Sequence, residues 1–501
     1  MASSTHLFQL IHSLSQSEKT YFKIFSSFQS GNKAYIRLFD AIAKQKEYDE
    51  KKLKSKLKIT AFAVAKTYLY ALILRSLRSQ QLNQNVNMQV KNMLKDIEIL
   101  LLKGLYDHSY KLLVKAKKLA KTHEKFPLLM EIYQFEHLIA NLSMNSALHK
   151  QLFEKGHQEA MDTITAYKEQ MEHRKIINLL TYKRGVRGRI IRSENDKKEM
   201  YEQARMILNK NPKTLLSFKT GMFHYNICGL YYYSINDTDG TYKNNKDAIR
   251  HLESKPVLLS QELNNYMFAL NNLMNAQMGL NKYEEIKNST DKLKSIPANT
   301  IIEKARIFGF CGSKEILYFT HTGRYKEGLD HIPVIEKQLM MYKDKINKPS
   351  YFVICANIEE FFIVCGKFKQ ALYWNNKILN DPKIESFYDF YSNARISEII
   401  IHYELNNIEK VQSLIKSYQQ FITKNKRKYN YENALINFFK NIMNIAGKKE
   451  LKEEFIRFQK ELLTLADDPY EKEAFDVFDL VLWLESKIEN RPFATIMKEK
   501  A

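Results

Sequence analysis

The densest group of side chains able to do chemistry is a basic cluster near the middle of the chain. Within ten residues the sequence carries Lys183, Arg184, Arg187, Arg189 and Arg192. Guanidinium groups form paired hydrogen bonds with phosphate or carboxylate, which makes the cluster a candidate contact site for an anion or a nucleic acid. The alternative interpretation is a solvated helix face whose arginines pair with Glu169, Glu172 or Glu194.

A second basic group lies near the N-terminus, where residues 1–90 carry 14 Lys or Arg against 5 Asp or Glu. Its candidate contact residues are Lys56, Lys58, Lys66, Arg75 and Arg78. A short helix, a turn and a longer helix are expected here, which is the order of a helix-turn-helix module. In such a module Lys66, Thr67 and Tyr70 would face the nucleic acid while other lysines hold phosphates. Because the stretch FAVAKTYLYALIL is mostly apolar, the alternative is a helix buried in a small bundle.

Catalytic and cofactor signatures are absent from the sequence. There is no glycine-rich dinucleotide or phosphate-binding motif, no H-E-x-x-H and no G-x-S-x-G. The closest histidine pairs, His6 with His12 and His149 with His157, have no acidic or cysteine neighbour at metal-binding spacing. We therefore expect no metal ion, no cofactor and no enzymatic activity.

The composition predicts the elements that must position these side chains. The chain has 501 residues and 45% hydrophobic content but only 15 Gly and 9 Pro, which favours helices joined by tight turns. The N-terminus does not read as a signal peptide, and no segment offers about 18 apolar residues without charge. The four cysteines never approach a C-x-x-C spacing and are expected to be reduced thiols. We expect a folded all-α protein without a membrane span, located in the cytoplasm of a bacterium.

A helical stripe with apolar spacing 3, 4, 3 recurs along the chain. The copies begin at Tyr106, Tyr283, Tyr325, Phe368 and Ile408, with a weaker one at Leu451. From Tyr283 onward these starting residues step by 42, 43, 40 and 43, a period that predicts one helix pair per unit. Pro297 and Pro382 each follow 14 residues after a stripe begins, where proline cannot continue a helix.

A turn containing Gly-x-[Tyr/Phe], an alanine three residues later and a terminal proline resemble the second helix of a tetratricopeptide repeat. The resemblance covers roughly residues 95–465, with a period of about forty where the family has about 34. The first-helix pattern of the family is mostly missing, and residues 120–200 fit poorly. The resemblance implies a right-handed superhelix of antiparallel helix pairs whose inner groove binds peptides or protein segments.

Three domains are predicted from these patterns. Residues 1–90 form a small basic helical domain, residues 91–465 the repeats, and residues 466–501 a capping helix and tail. The first boundary is set at the polar stretch LNQNVNMQ. The capping helix is predicted to start at Asp468–Pro469 and to carry Phe475, Phe478, Leu482 and Trp483 on its apolar stripe.

Two functions are consistent with this organisation. The first is a non-enzymatic interaction scaffold whose groove clamps a peptide or protein segment, because side-chain amides can hydrogen-bond a peptide backbone without adding charge. Its candidate groove contacts are Tyr225, Asn226, Asn271, Asn272, Asn275 and Asn357. The alternative is a regulator whose basic N-terminal domain binds nucleic acid, helped by the net charge of +22, while the repeats sense a peptide or protein. This layout resembles that of peptide-sensing bacterial regulators.

Overall fold

The computed structural model describes residues 4–27, 34–80, 85–187, 194–425, 430–468, 471 and 478–500. Every regular element in these ranges is a helix, as the sparse glycines and prolines predict. The chain divides into two compact units, Met1–Tyr167 and Lys168–Ala501, and the division falls inside one long helix. The predicted domain boundaries at residues 90 and 465 stay predictions.

The first unit contains two separate hydrophobic clusters. Its helices are α1 (Ser4–Ser13), α2 (Gln16–Ser27), α3 (Ala34–Ala43), α4 (Glu50–Leu57), α5 (Phe62–Gln80), α6 (Val86–Leu102), α7 (Tyr106–Thr122), α8 (Phe126–Ser143), α9 (Ser146–Gln151) and the start of α10 (His157–Arg187). A π-helical turn, Leu152–Gly156, joins α9 to α10. The cluster of α1 to α5 surrounds Phe22 and Phe39, and the cluster that begins at Val90 surrounds Ile97 and Ile132.

The second unit is built from successive helices that pack against each other in chain order. After the end of α10 come α11 (Glu194–Leu208), α12 (Phe218–Ser234), α13 (Thr238–Glu253), α14 (Pro256–Leu259), α15 (Leu263–Gly279), α16 (Tyr283–Lys294), α17 (Ile301–His321), α18 (Tyr325–Tyr342), α19 (Lys348–Val364), α20 (Phe368–Leu379), α21 (Tyr388–Glu404), α22 (Ile408–Asn425), α23 (Asn430–Ile442), α24 (Lys448–Ala466), α25 (Leu480–Glu489) and α26 (Phe493–Lys500). The pairs α12/α13, α15/α16, α17/α18, α19/α20, α21/α22 and α23/α24 each form a helical hairpin.

One backbone conformation recurs in the turns of these hairpins. In all of these hairpins except α23/α24, and also in the turn between α6 and α7, the residue two positions before the second helix adopts the left-handed conformation, with φ between 55° and 74°. The residues in this conformation include Gly104, Asn281, Gly323, Gly366 and Asn406. Glycine lacks the Cβ that strains this conformation, and asparagine tolerates it better than most residues. The Gly-x-[Tyr/Phe] signature of the sequence therefore corresponds to a residue in the left-handed conformation, one further residue, and then the first residue of the helix.

The helical stripes begin where helices begin. The first residues of α7, α16, α18, α20 and α22 are Tyr106, Tyr283, Tyr325, Phe368 and Ile408. Leu451 lies in the first turn of α24. The spacing of about forty thus measures the distance from the second helix of one hairpin to the second helix of the next.

The C-terminal helices pack onto the last hairpins of the second unit. Trp483 in α25 is 1% exposed and its Nε1 donates a hydrogen bond to Glu404 at 2.6 Å. Phe478 is also buried, whereas Phe475 lies outside the described residues. The helix in this segment begins at Leu480 after the N-cap Asp479.

No single helix among the described residues is long and apolar enough to cross a membrane. Taken together, α4 and α5 are long and apolar enough to cross a membrane, but they are two separate helices that meet at an angle of 102°.

Candidate ligand-binding cavity and basic surfaces

A cavity of about 700 Å³ lies within the second unit. Most of its lining residues belong to α12, α15, α17, α19, α21 and α23, the first helices of their hairpins. The other lining residues are Thr238, Tyr283 and Ile378 on second helices, Asn236 and Asn281 in turns, and Phe478 and Asp479 before α25. Pockets that bind small ligands usually measure about 300–1,000 Å³. The cavity is therefore large enough to hold a short peptide or a small molecule.

Helical periodicity decides which residues face the cavity. On α19 the lining residues include Ala356, Asn357 and Glu360, which the 3.6-residue repeat places on one face. Ile358 and Phe362, on the other side of the same helix, are buried in the hydrophobic core. The core thus fixes the rotation of α19, and with it the polar face presented to the cavity.

Three of the predicted groove asparagines line this cavity: Asn271 and Asn275 on α15, and Asn357 on α19. The amide of Asn357 donates a hydrogen bond to the backbone oxygen of Ser313 at 3.1 Å, which ties α19 to α17. Asn272 is exposed and does not line the cavity, because one residue along a helix turns the side chain by about 100°.

Tyr225 and Asn226, on α12, are not among the lining residues either. The Tyr225 ring packs between two imidazoles, with centroids 5.4 Å from His224 and 5.5 Å from His251.

Lys314 on α17 is a buried cation in the cavity wall. Its side chain is 7% exposed, and within the described ranges its ammonium has no hydrogen bond or ion pair. Burial lowers the pKa of Lys314 to about 8, because desolvation penalises the charged form. An unpaired buried ammonium is unfavourable for folding, so it is a candidate ligand-binding group.

Carboxyl groups line another part of the cavity wall. Burial raises the pKa of Glu359 and of Glu360 to about 8, and it also raises the pKa of Asp479. The negative charge of Asp479 contributes to the shift at Glu360. Glu360 has no hydrogen bond or ion pair in the part of the chain that the structure describes. Such a carboxyl is held largely neutral until a cation binds beside it.

Glu359 differs from Glu360 in having a protein partner. It is 2% exposed and accepts a hydrogen bond from Asn375 Nδ2 at 3.1 Å. The buried Oδ1 of Asn375 has no hydrogen-bond partner among the described atoms.

None of these charged cavity residues is among the contact residues predicted from the sequence. The signal in the sequence is a pair of adjacent charged residues inside an apolar stretch, as in FGFCGSKEILYF for Lys314 and VICANIEEFFIV for Glu359 and Glu360. Such charges are rarely buried without a partner, so each marks a position that needs an explanation.

The basic N-terminal residues lie on and around the α4–α5 pair. Lys58 ends α4 in the left-handed conformation, and residues 58–61 form the turn before α5. The exposed members of the predicted contact set are Lys56, Lys58, Arg75 and Arg78. Lys66 is instead half-buried, with its ammonium 2.7 Å from the Glu50 carboxylate and 5.4 Å from the centre of the Phe62 ring.

Helix α5 has one buried and one exposed face. Leu69, Leu72 and Ile73 are buried in the cluster of α1 to α5. Thr67 is exposed and Tyr70 is half-buried. The apolar residues of this helix therefore do not prevent it from presenting Thr67 and the two arginines to a partner.

The central basic cluster is only partly described. Lys183 forms an ion pair with Glu199 of α11, and Glu169, a predicted partner of the cluster, pairs with Lys210. The side chains of Arg184 and Arg187 in α10 are outside the described part, as are Arg189 and Arg192 entirely. Anion binding by this cluster stays a prediction.

Two buried histidines lie close together in the second unit. The ring centroids of His173 and His224 are 6.4 Å apart, and the His224 Nε2 lies 3.6 Å from the Cys228 sulfur. His173 Nε2 and His224 Nδ1 have no partner among the described atoms. Burial is the main cause that lowers the pKa of His224 to about 4. Across the described residues, no group of three or more His, Cys, Asp or Glu side chains is placed to hold a metal ion.

Comparison of the chain with protein-family models, curated proteins and solved structures found no match. The resemblance to tetratricopeptide repeats therefore depends on the sequence pattern alone.

Proposed function

We propose that the second unit is a non-enzymatic binding module that holds a peptide or an extended protein segment in the 700 Å³ cavity. The observation that carries the proposal is the composition of the cavity wall. Side-chain amides at Asn271, Asn275 and Asn357 lie there together with Lys314, a buried cation that has no hydrogen bond or ion pair among the described residues. Amides provide both donors and acceptors for a peptide backbone, and unpaired charges require a ligand of opposite charge.

The tetratricopeptide-like superhelix is part of this proposal. Consecutive hairpins with a common turn, at intervals of about forty residues, favour a repeat architecture whose first helices face the ligand. We place the protein in the cytoplasm, and its four unpaired cysteines support this location.

The test uses the full-length protein and a pool of randomised pentapeptides with free termini. Peptide retained after equilibrium ultrafiltration is measured by mass spectrometry for the wild type, for Asn275→Trp and for Asn272→Trp. Both asparagines are exposed on α15, but only Asn275 lines the cavity. We expect the tryptophan at position 275 to lower retention about tenfold or more by filling the cavity, with no change at position 272. Absence of retention by the wild type, or equal loss in both variants, would contradict the proposal.

A second candidate function is binding of nucleic acid by α4 and α5. The observation that favours it is the angle of 102° between the two helices across a four-residue turn, since helix-turn-helix pairs meet at about 90–120°. Arg75 and Arg78 are exposed on the second helix, where they are available to phosphates.

Salt titration of binding to mixed duplex DNA and single-stranded RNA tests this function. Replacing Arg75 and Arg78 with glutamine should reduce the slope of log affinity against log salt by about 2, one for each lost phosphate contact. The control replaces Lys111 and Lys115, two exposed lysines on α7, with glutamine. No binding at about 100 mM salt, or an equal effect of both double variants, counts against nucleic-acid recognition here.

A further inference from the structure

We propose that the cavity recognises a peptide by two charges: its C-terminal carboxylate pairs with Lys314, and a cationic group of the same peptide lies against Glu360 and Asp479. This inference rests on the proposed peptide-binding function and specifies which peptides bind. It follows from two features of the cavity wall: the ammonium of Lys314, which has no partner among the described residues, and the carboxyl groups of Glu360 and Asp479.

Lys314 is the residue of the cavity wall that would pair with an anionic group of the ligand. Lys314 is 7% exposed and lines the cavity, and its ammonium has no hydrogen bond or ion pair to any described residue. Asn357 also lines the cavity, and its amide donates to the backbone oxygen of Ser313, the residue before Lys314. A carboxylate that binds here pairs with one positive charge, which matches a single negative charge.

The carboxyl groups of the cavity wall are the groups that would pair with a cationic group of the ligand. Glu360 is on the same face of α19 as Asn357, three residues further along, which is about 4.5 Å in the direction of the helix axis. Asp479 contributes a second carboxyl, and it is held in place because it accepts a hydrogen bond from the backbone of Leu482 at 2.9 Å. An ammonium or guanidinium group beside them would favour the ionised form of both carboxyls, which burial disfavours.

The surrounding charges favour a carboxylate over a phosphate. A phosphate carries up to two negative charges and usually binds several cations or a helix N-terminus. Here the lining contains one lysine and the carboxyl groups of Glu359, Glu360, Asp389, Glu432 and Asp479. A ligand that brings its own positive charge is therefore the better electrostatic match, and a peptide with a free C-terminus and a basic group has this property.

Three matched pools of randomised pentapeptides test the inference with the full-length protein. One pool has free termini, one has an amidated C-terminus and one has an acetylated N-terminus. We expect amidation to lower retention about tenfold or more, because it removes the charge that pairs with Lys314. Retained peptides should be enriched in Lys and Arg if a side chain supplies the cation, and acetylation should lower retention if the terminal amine supplies it.

Two variants and their controls assign the charges to residues. Lys314→Met should abolish the preference for a free carboxylate, while Lys304→Met, an exposed lysine on the same helix, should not. Glu360→Gln should remove the dependence on the cation and leave the carboxylate preference, whereas the exposed Glu409→Gln should change neither. Thermal melting and circular dichroism check that each variant is folded.

The outcomes separate this inference from the proposed function. If the wild type retains the amidated and the free pool equally, and Asn275→Trp lowers the retention of both, the proposed charge recognition is wrong. Peptide binding in the cavity is then still supported. A carboxylate preference that survives Lys314→Met, or enrichment of acidic peptides, also overturns it. If the wild type retains no pool at all, both proposals fail.

Discussion

Replacing Glu359 with glutamine should stabilise the protein, and the gain should grow as the pH rises. Burial raises the pKa of Glu359 to about 8 from an ordinary value of 4.5. Between these values the folded protein holds a proton that the unfolded chain has released, so stability falls as the pH increases through this window. Glutamine does not titrate, and its amide oxygen can still accept from Asn375 Nδ2.

The size of the gain follows from the pKa difference. Each pKa unit corresponds to about 1.4 kcal/mol, so the wild type loses about 3 kcal/mol between pH 4.5 and pH 7. The loss approaches about 5 kcal/mol at pH 9, once both states are ionised. Since Glu359 is 2% exposed, solvent screens little of this cost. The glutamine variant avoids the loss, and its melting temperature should exceed that of the wild type by several degrees at pH 9.

The assay is a series of thermal melts of the full-length protein from pH 5 to pH 9. The control is Glu409→Gln, because Glu409 is exposed on α22. We expect the difference between Glu359→Gln and the wild type to be close to zero at pH 5 and to increase steadily to pH 9, with no such trend for the control. A difference that is independent of pH, or a variant less stable than the wild type at pH 9, would refute the reasoning.

Three further predictions concern the packing of the second unit. Because burial lowers the pKa of His224 to about 4, hydrogen exchange at its imidazole C2 should show no titration between pH 5.5 and 8; a midpoint near 6.5 for His224 would contradict its burial. Trp483→Ala should cost about 3–5 kcal/mol, because it empties a fully buried site, and an unchanged melting temperature would show that α25 does not support the core. Gly328→Ala should destabilise by about 1–3 kcal/mol, since a Cβ there would lie 2.5 Å from the Phe361 ring; a melting temperature equal to the wild type would mean that this ring moves freely.

Local features of the sequence predicted the helices and their hairpin turns. A helix start depends on residues within one or two turns, and the left-handed turn needs only glycine or asparagine at one position. Tyr325 and Phe368, for example, could be recognised as starts because each follows a glycine by two residues and opens an apolar stripe. These interactions join residues that are close in sequence, so the sequence alone is enough to predict them.

The tertiary structure alone decided which side chains share the cavity. Asn271 and Asn272 are adjacent in sequence and chemically identical, and only the packing of α15 turns the first toward the cavity and the second toward solvent. The same holds for Lys66 and Lys314: the first finds Glu50 from another helix, while the second has no partner within the described residues. Whether a charge is paired depends on residues that are distant in sequence, because the core fixes the rotation of each helix. A sequence pattern can place a residue on a helix, but it cannot show what the helix faces.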